Sequence, residues 1–489
     1  MSKLTLTSHQ QNAFNQIIFK ISKILNNFPL KDTFENSCLS LTGSAGTGKT
    51  FLTIKIAQFL RDKNISSIIT APTHKAVSVI SKLLKENEIE TTPTTIHSYL
   101  AIKPFIDYTT GIEKFKKDKT SNKYLPTDVL IVDESSMIGN ELMDYLKESY
   151  ENGLAKVILF VGDPYQLLPV DNTHSSIYEL PNQYQITEIV RQARDSYIIQ
   201  MANELKNRII SKDFIDLKVL LSKNNFPKAQ YFYNQKDFLD EFYKESEWFK
   251  KSKIILSYKN KDVDAFGKII RNEFWKQKNV INPDAYMKQD KVRFLDACTI
   301  SDVTVYSNND EIELEFTEKK HNSSLGIDFW NCKAVNAKEQ QIFRIVDPFS
   351  MSIFNDKLSE ISHQAKNANT KELRNFFWQM FYNIRNSYAN VQHIYSSTIH
   401  KSQGSTYEES FVDLFNLSTS PYICIEEQYR LAYVAITRAS KNVKILISNN
   451  KDKDFDSSKN SDFDTESKYK TLDTEIAKFF QRNKTKHIL

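Results

Sequence analysis

Short apolar runs alternate with stretches of helical periodicity along the first part of the chain. Thr7 or Ser8 can cap a helix that carries Ala13, Phe14, Ile17, Ile18 and Ile21 on one face. Cys38-Leu39-Ser40-Leu41 reads as a strand, and Phe51, Leu52, Ile54, Ile56, Ala57, Phe59 and Leu60 as the buried helix that follows. A second such unit runs from Ser67-Ile68-Ile69-Thr70-Ala71, stopped by Pro72, into Val77, Val79, Ile80, Leu83 and Leu84. Val129-Leu130-Ile131-Val132 and Val157-Ile158-Leu159-Phe160-Val161 are two further buried strands. Continuous apolar strands alternating with amphipathic helices predict an α/β fold with a parallel sheet.

Two stretches depart from this pattern. Between 102 and 126, Phe105, Ile106, Tyr108 and Phe115 stand among lysines around Thr109-Thr110-Gly111, which reads as an inserted β-hairpin. From 277 to 390 the chain reads as another insertion. Glu311 to Phe316 alternates strictly, as an antiparallel strand with one wet face does, and 358–388 is helical and rich in Phe. Ile254-Ile255-Leu256-Ser257 with Val263, Phe266, Ile269 and Ile270, and later residues 391–395 and 443–447, outline a second α/β region around it. The expected domains are 1–182 with the hairpin at 102–126, a second core from 183–276 and 391–449, the insert at 277–390, and a polar linker with a short helix at 450–489.

Chemistry enters between the first strand and its helix. Gly43-Ser44-Ala45-Gly46-Thr47-Gly48-Lys49-Thr50 fits G-x-x-x-x-G-K-[ST], the phosphate-binding P-loop. The chain has only ten glycines and three of them fall here, which argues against a chance match. Backbone N–H groups at a helix N-terminus suit phosphate, Lys49 would reach the β- and γ-phosphates, and Thr50 would help hold Mg²⁺. Asp133 and Glu134 end a buried strand as metal ligand and water-activating base would. Gln166 can sense a γ-phosphate or be a turn glutamine facing water. Gln10 can read adenine or be a solvated helix-start residue. Arg191, taken alone, is as well explained by a surface ion pair.

Hydroxyl-rich, cationic corners recur at Pro72-Thr73-His74-Lys75, at Thr95-Ile96-His97 and from Thr398 through His400, Lys401 and Gly404, and Tyr258-Lys259-Asn260 follows the strand at 254–257. Each alone is an ordinary N-cap cluster. The basic hairpin with its aromatics suits stacking on unpaired bases, or is a solvated loop with two packed rings.

Composition adds limits. A chain of 489 residues, 40% apolar, is long enough for two to four packed domains. A net charge of +5 permits a nucleic-acid partner without arguing for one. Four scattered cysteines argue against a disulfide framework or zinc site, and the absence of a long apolar run argues against a membrane span, so a cytoplasmic setting is expected.

Taken in order, the motifs at Gln10, Gly43–Thr50, 71–76, 95–98, Asp133-Glu134, 162–166, 187–191, 397–406 and 433–438 resemble those of superfamily 1B DNA helicases of the Dda type, with RecD-like helicases more distant. The resemblance spans Leu6 to about Ile447. It implies two RecA-like domains, an SH3-like and helical insert at 277–390 that braces a strand-separating pin at 102–126, and ATP with Mg²⁺ between the cores. Gln10 would then contact adenine, and Gly43, Ser44, Ala45, Gly46, Thr47, Gly48, Lys49 and Thr50 the phosphates. Thr50 and Asp133 would hold the metal, Glu134 would act as base, and Gln166 would couple the γ-phosphate to closure. Arg191 and Arg438 would be arginine fingers, with Gly404 near the nucleotide. Pro72, Thr73, His74, Lys75, His97, Asn260, Thr398, His400 and Lys401 would line a single-stranded DNA track, and Phe115 would be the pin's aromatic.

The implied activity is 5′-to-3′ translocation and duplex unwinding by a monomer in a bacterial or phage-infected cell. Single-stranded and forked DNA are the implied partners, and single-strand-binding, replication or recombination proteins are further candidates. Two rivals stand beside it: a DNA-stimulated ATPase that remodels protein–DNA complexes, and the motor subunit of a larger complex.

Overall fold

A computed structural model describes residues 6–27, 33–118, 126–169, 175–188, 196–300, 303–335, 337–338 and 341–448. Arg191 and the tail from 450 onward lie outside these residues, so neither the finger at Arg191 nor the terminal linker and helix is described.

The N-terminal helix Ser8–Asn26 starts in a capping box. Thr7 Oγ1 accepts the Gln10 N–H (3.2 Å) and Gln10 Oε1 accepts the Thr7 N–H (3.0 Å). Its buried stripe is Ala13, Ile17, Ile21 and Ile24, with Phe14 and Ile18 at the margin. The helix lies on a six-stranded sheet ordered Thr94–Thr95, Ser67–Ala71, Thr127–Val132, Ala155–Gly162, Cys38–Gly43, Asn182–Ile186. All its pairings are parallel, so the βα connections bring Gly43, Asp133 and Asp163 to one carboxyl edge. Asn182–Ile186 pairs with the P-loop strand, so the first lobe runs past the boundary expected at 182.

The second sheet is also parallel, ordered Ser396–Thr398, Lys253–Ser257, Tyr407–Asp413, Ala439–Leu446, Gln230–Phe232. Helix Ile425–Thr437 packs on it with Tyr429, Leu431, Ala432, Tyr433, Val434, Ala435 and Ile436 all buried. Two parallel sheets of this kind give the two RecA-like lobes.

The insert carries a five-stranded sheet ordered Phe343–Val346, Ile327–Ala334, Glu311–Asn322, Lys291–Phe294, Val391–His393, antiparallel throughout. Val391–His393 therefore closes the insert's sheet rather than rejoining the second core, which resumes at Ser396. The expected alternation also breaks. Leu314 is buried but Phe316 is 40% exposed, because a bulge between them places two residues opposite one and turns Phe316 outward. Helices Met351–Lys366 and Lys371–Asn386 complete the insert.

A buried ion pair fastens the insert to the second lobe. Arg271, on helix Asn260–Gln277, grips Asp290 through Nε (2.9 Å) and Nη2 (2.7 Å), and Trp275 Nε1 donates to the same carboxylate (2.9 Å). Replacing Asp290 by alanine would leave the buried guanidinium with the Asp284 carbonyl but without a counter-charge. The expected loss is about 3–5 kcal/mol in chemical denaturation, and a loss below about 1 kcal/mol would show that water reaches Arg271.

A candidate nucleotide site at the lobe seam

Gly46 and Gly48 adopt φ of 80° and 79°, a region that costs other residues strain, and so let the loop turn tightly into the helix that follows. Gly48 caps helix Lys49–Asp62 without a side chain in the way. At Gly43 a Cβ would lie 2.6 Å from Thr47 Oγ1, so nothing larger than glycine fits. Lys49 Nζ donates to the Gly43 carbonyl (2.6 Å) and the Ser44 carbonyl (3.2 Å). Gln10 is buried beside the loop and its Nε2 donates to the Thr47 carbonyl (2.9 Å). With Oε1 in the capping box, both ends of the amide assigned to adenine are engaged within the protein. Gln10 thus ties the first helix to the phosphate loop.

Asp133 and Glu134 follow strand Thr127–Val132 on the same edge. Burial, and then the Glu134 charge, push the Asp133 carboxyl up, against the pull of the Glu134 N–H and Lys49. Glu134 sits at φ 51°, left-handed backbone of the kind that concentrates at functional sites. Gln166 is 5% exposed, and its Oε1 has no hydrogen-bond partner among the described residues. A glycine-turned loop that carries an ammonium, together with a buried carboxylate and an orphaned amide oxygen, fits a nucleoside triphosphate with a divalent cation. A cation held there by Thr50 and Asp133 would favour an ionised Asp133.

The second lobe reaches this loop through helix Ile425–Thr437. Tyr433 Oη accepts the Ala45 N–H (2.9 Å) and donates to Asp163 Oδ2 (2.7 Å). Arg430 Nη1 donates to the Pro164 (2.7 Å) and Gln166 (2.9 Å) carbonyls. The sequence reading placed Asp163 and Tyr433 inside motifs without giving them a role, and did not single out Arg430. Their signal was present: an acid directly after Gly162 at a strand end, and Arg430 and Tyr433 three apart on one helix face.

Arg438 caps that helix and is 6% exposed. Its Nε donates to the Val434 carbonyl (3.2 Å), and its Nη1 to the Ser405 carbonyl (3.1 Å). Gly404, at φ 71°, packs against Ala76, with ordinary contact distance (3.4 Å) from the place a Cβ would take. It marks where the second lobe meets helix His74–Glu86.

The proposed nucleic-acid residues divide into groups. Pro72 ends its strand, and Thr73 Oγ1 caps the helix by accepting the Ala76 N–H (3.2 Å). His74 and His97 are close enough that the His74 charge, after burial, lowers the His97 pKa. Phe115 lies 5.4 Å from the His97 ring. On the second lobe, His400 faces Tyr258 (6.2 Å). Thr398 is buried and accepts the Lys401 N–H (3.3 Å), which makes it a cap more than a contact surface. Asn260 is exposed at the start of its helix. Lys75 departs from the expectation: its ammonium is shared between Glu311 (3.3 Å) and the Tyr407 hydroxyl (3.3 Å), so it joins both lobes and the insert.

The hairpin pairs Ile102–Asp107 with Ile112–Lys117. Phe115 stands opposite Pro104 and Phe105 opposite Lys114, so the two rings, each 50% exposed, point to opposite faces. The tip is braced by the insert. Tyr382 Oη donates to the Gly111 carbonyl (2.9 Å), and Trp378 covers Gly111 so closely that a Cβ there would enter its ring.

An AAA domain model matches residues 32–217, the first lobe and the start of the second. A UvrD-like helicase C-terminal domain model matches residues 393–446, most of the second sheet. An uncharacterized protein, R530, of Acanthamoeba polyphaga mimivirus is 26% identical, covering 83% of this chain and 94% of its own. The ATP-dependent DNA helicase dda of Enterobacteria phage T4 is 25% identical, covering 90% of this chain and 98% of its own. The crystal structure of Pif1 helicase from Candida albicans aligns at 17% identity over 91% of this chain and 96% of its own, with a TM-score of 0.45. By sequence this chain is a homologue of the superfamily 1 helicases of the Dda, RecD and Pif1 kind.

Proposed function

We propose that the chain is an ATP-dependent DNA helicase that moves 5′ to 3′ along single-stranded DNA and separates duplex ahead of it. The observation that carries this reading is the reach of helix Ile425–Thr437 across the seam to Ala45, Asp163, Pro164 and Gln166. A loop that holds phosphate in one lobe and a helix that touches that loop from another make hydrolysis and lobe closure a single event.

In this mechanism Lys49 balances charge on the β- and γ-phosphates, and Thr50 and Asp133 hold Mg²⁺, which neutralises developing charge when bound. Glu134 orients and deprotonates the attacking water. Gln166, its Oε1 still open, reports the γ-phosphate to the seam. Arg438, and Arg191 by the family resemblance, would stabilise charge on the transferring group. His74 and His97 on one lobe and His400, Lys401 and Asn260 on the other grip the strand without reading its sequence. Each closure would then shift the lobes along it. The proposed setting is the cytoplasm of a bacterial or phage-infected cell; no helix among the described residues is long and apolar enough to cross a membrane.

The test is unwinding of duplexes bearing only a 5′ or only a 3′ single-stranded tail, with ATP and Mg²⁺. Separation confined to 5′-tailed substrates supports the proposal. Strand-stimulated hydrolysis without separation on either substrate favours the remodelling ATPase. The hairpin can be tested apart from the motor. Phe115→Ala should cut the unwinding rate about tenfold or more while changing single-strand-stimulated ATPase less than about twofold, since a stacked base is worth about 1–3 kcal/mol. Equal losses would remove the ring from strand separation.

A further inference from the structure

Tyr433 does more than join the lobes. Its side chain has no exposed surface, and its hydroxyl is shared between the Ala45 N–H (2.9 Å) and Asp163 Oδ2 (2.7 Å). Asp163 is equally closed off, and its other oxygen accepts the Tyr165 N–H (3.1 Å). Lys49 Nζ stands 3.8 Å from Asp163 Oδ2, beyond hydrogen-bond length, and donates instead to two loop carbonyls. A buried carboxylate and an ammonium this close attract strongly, and a closed ion pair is the arrangement they would otherwise adopt. The phenol already occupies the oxygen that faces the lysine. Burial and the Asp163 charge push that phenol far above its ordinary range, so it remains a neutral donor.

We propose that Tyr433 is a positioning residue that holds Asp163 off Lys49, so that the ammonium has only loop carbonyls, and no carboxylate, to give up for phosphate. Because Tyr433 belongs to the second lobe and its partners to the first, lysine availability is tied to contact across the seam. A parted seam would let Asp163 draw Lys49 into a pair, which would suppress hydrolysis when the lobes are separated. This inference rests on the nucleotide reading above.

Tyr433→Phe keeps the ring and removes only the hydroxyl. The full-length variant should lose about tenfold or more in kcat for ATP, with KM moving less than about threefold, because the lysine's share in the transition state is what is weakened. If the effect passes through Asp163, the same substitution in an Asp163→Asn background should cost less than about threefold, since the competing charge is gone. An equal loss in both backgrounds would make Tyr433 a packing residue and overturn the inference. Should Tyr433→Phe not fold, Asp163→Asn alone carries the test. It should bind a fluorescent ADP analogue at least as tightly as the parent protein, and binding weaker by about tenfold or more overturns the proposal. A parent protein that neither binds nor hydrolyses ATP would sink the nucleotide reading and this inference together, whereas equal losses sink the inference alone.

Discussion

Replacing Lys49 by alanine is expected to abolish ATP hydrolysis and leave binding of single-stranded DNA largely intact. The lysine is the one side-chain cation that the loop Gly43–Thr50 itself contributes, and transfer of a γ-phosphoryl group is catalysed almost wholly by placed charge. Lys49 contributes little to the fold: its ammonium bonds two carbonyls of its own loop, and truncation strips no buried carboxylate of a close partner. Asp163 keeps the Tyr433 hydroxyl and the Tyr165 N–H. The residues offered to DNA lie on other corners, so an oligonucleotide titration should change less than about threefold while turnover falls to background. Loss of cooperative unfolding in Lys49→Ala would instead make the lysine structural.

Arg438→Ala is expected to lower kcat at least about a hundredfold with little change in nucleotide affinity, in keeping with the 10³–10⁵ that an arginine supplied across a cleft can contribute. The structure sharpens this test, because Arg438 has a second role available. Its guanidinium bonds the Val434 and Ser405 carbonyls, and its own carbonyl accepts the Tyr407 N–H (2.8 Å), so it also braces the corner that carries Gly404. For a finger, those bonds must be exchanged for phosphate oxygens as the seam tightens. For a brace, alanine should lower the melting temperature and cost turnover about tenfold or less. Measuring both on one preparation separates the two roles.

Much of this was legible in the residues because it is local. Glycine spacing decided the phosphate loop, since only Gly46 and Gly48 tolerate the positive φ that the turn requires. Continuous apolar runs decided that two sheets would be parallel and covered on both faces. The hairpin announced itself through Thr109-Thr110-Gly111 between two stretches of aromatics set among lysines. Register and partner choice were not legible. The alternation from Glu311 read as one wet face, yet a single bulge turned Phe316 outward. Val391–His393 read as a core strand, yet it pairs with Lys291–Phe294 in the insert, because three half-buried residues carry too little pattern to choose between sheets.

By itself, then, the amino-acid order determined which groups exist and where each strand delivers them: the lysine loop, the acid pair at Asp133, and the cationic corners at the carboxyl edges. Only the tertiary structure decided which of them meet. Lys75, read as a phosphate contact, is held by Glu311 and Tyr407, residues far from it in the chain. Tyr433, one aromatic in a buried helix, proves to touch Ala45 and Asp163. Short-range periodicity encodes burial and backbone geometry, but a hydrogen bond across a seam depends on how two lobes are set against each other. That setting is the sum of many weak contacts, and no single stretch of sequence records it.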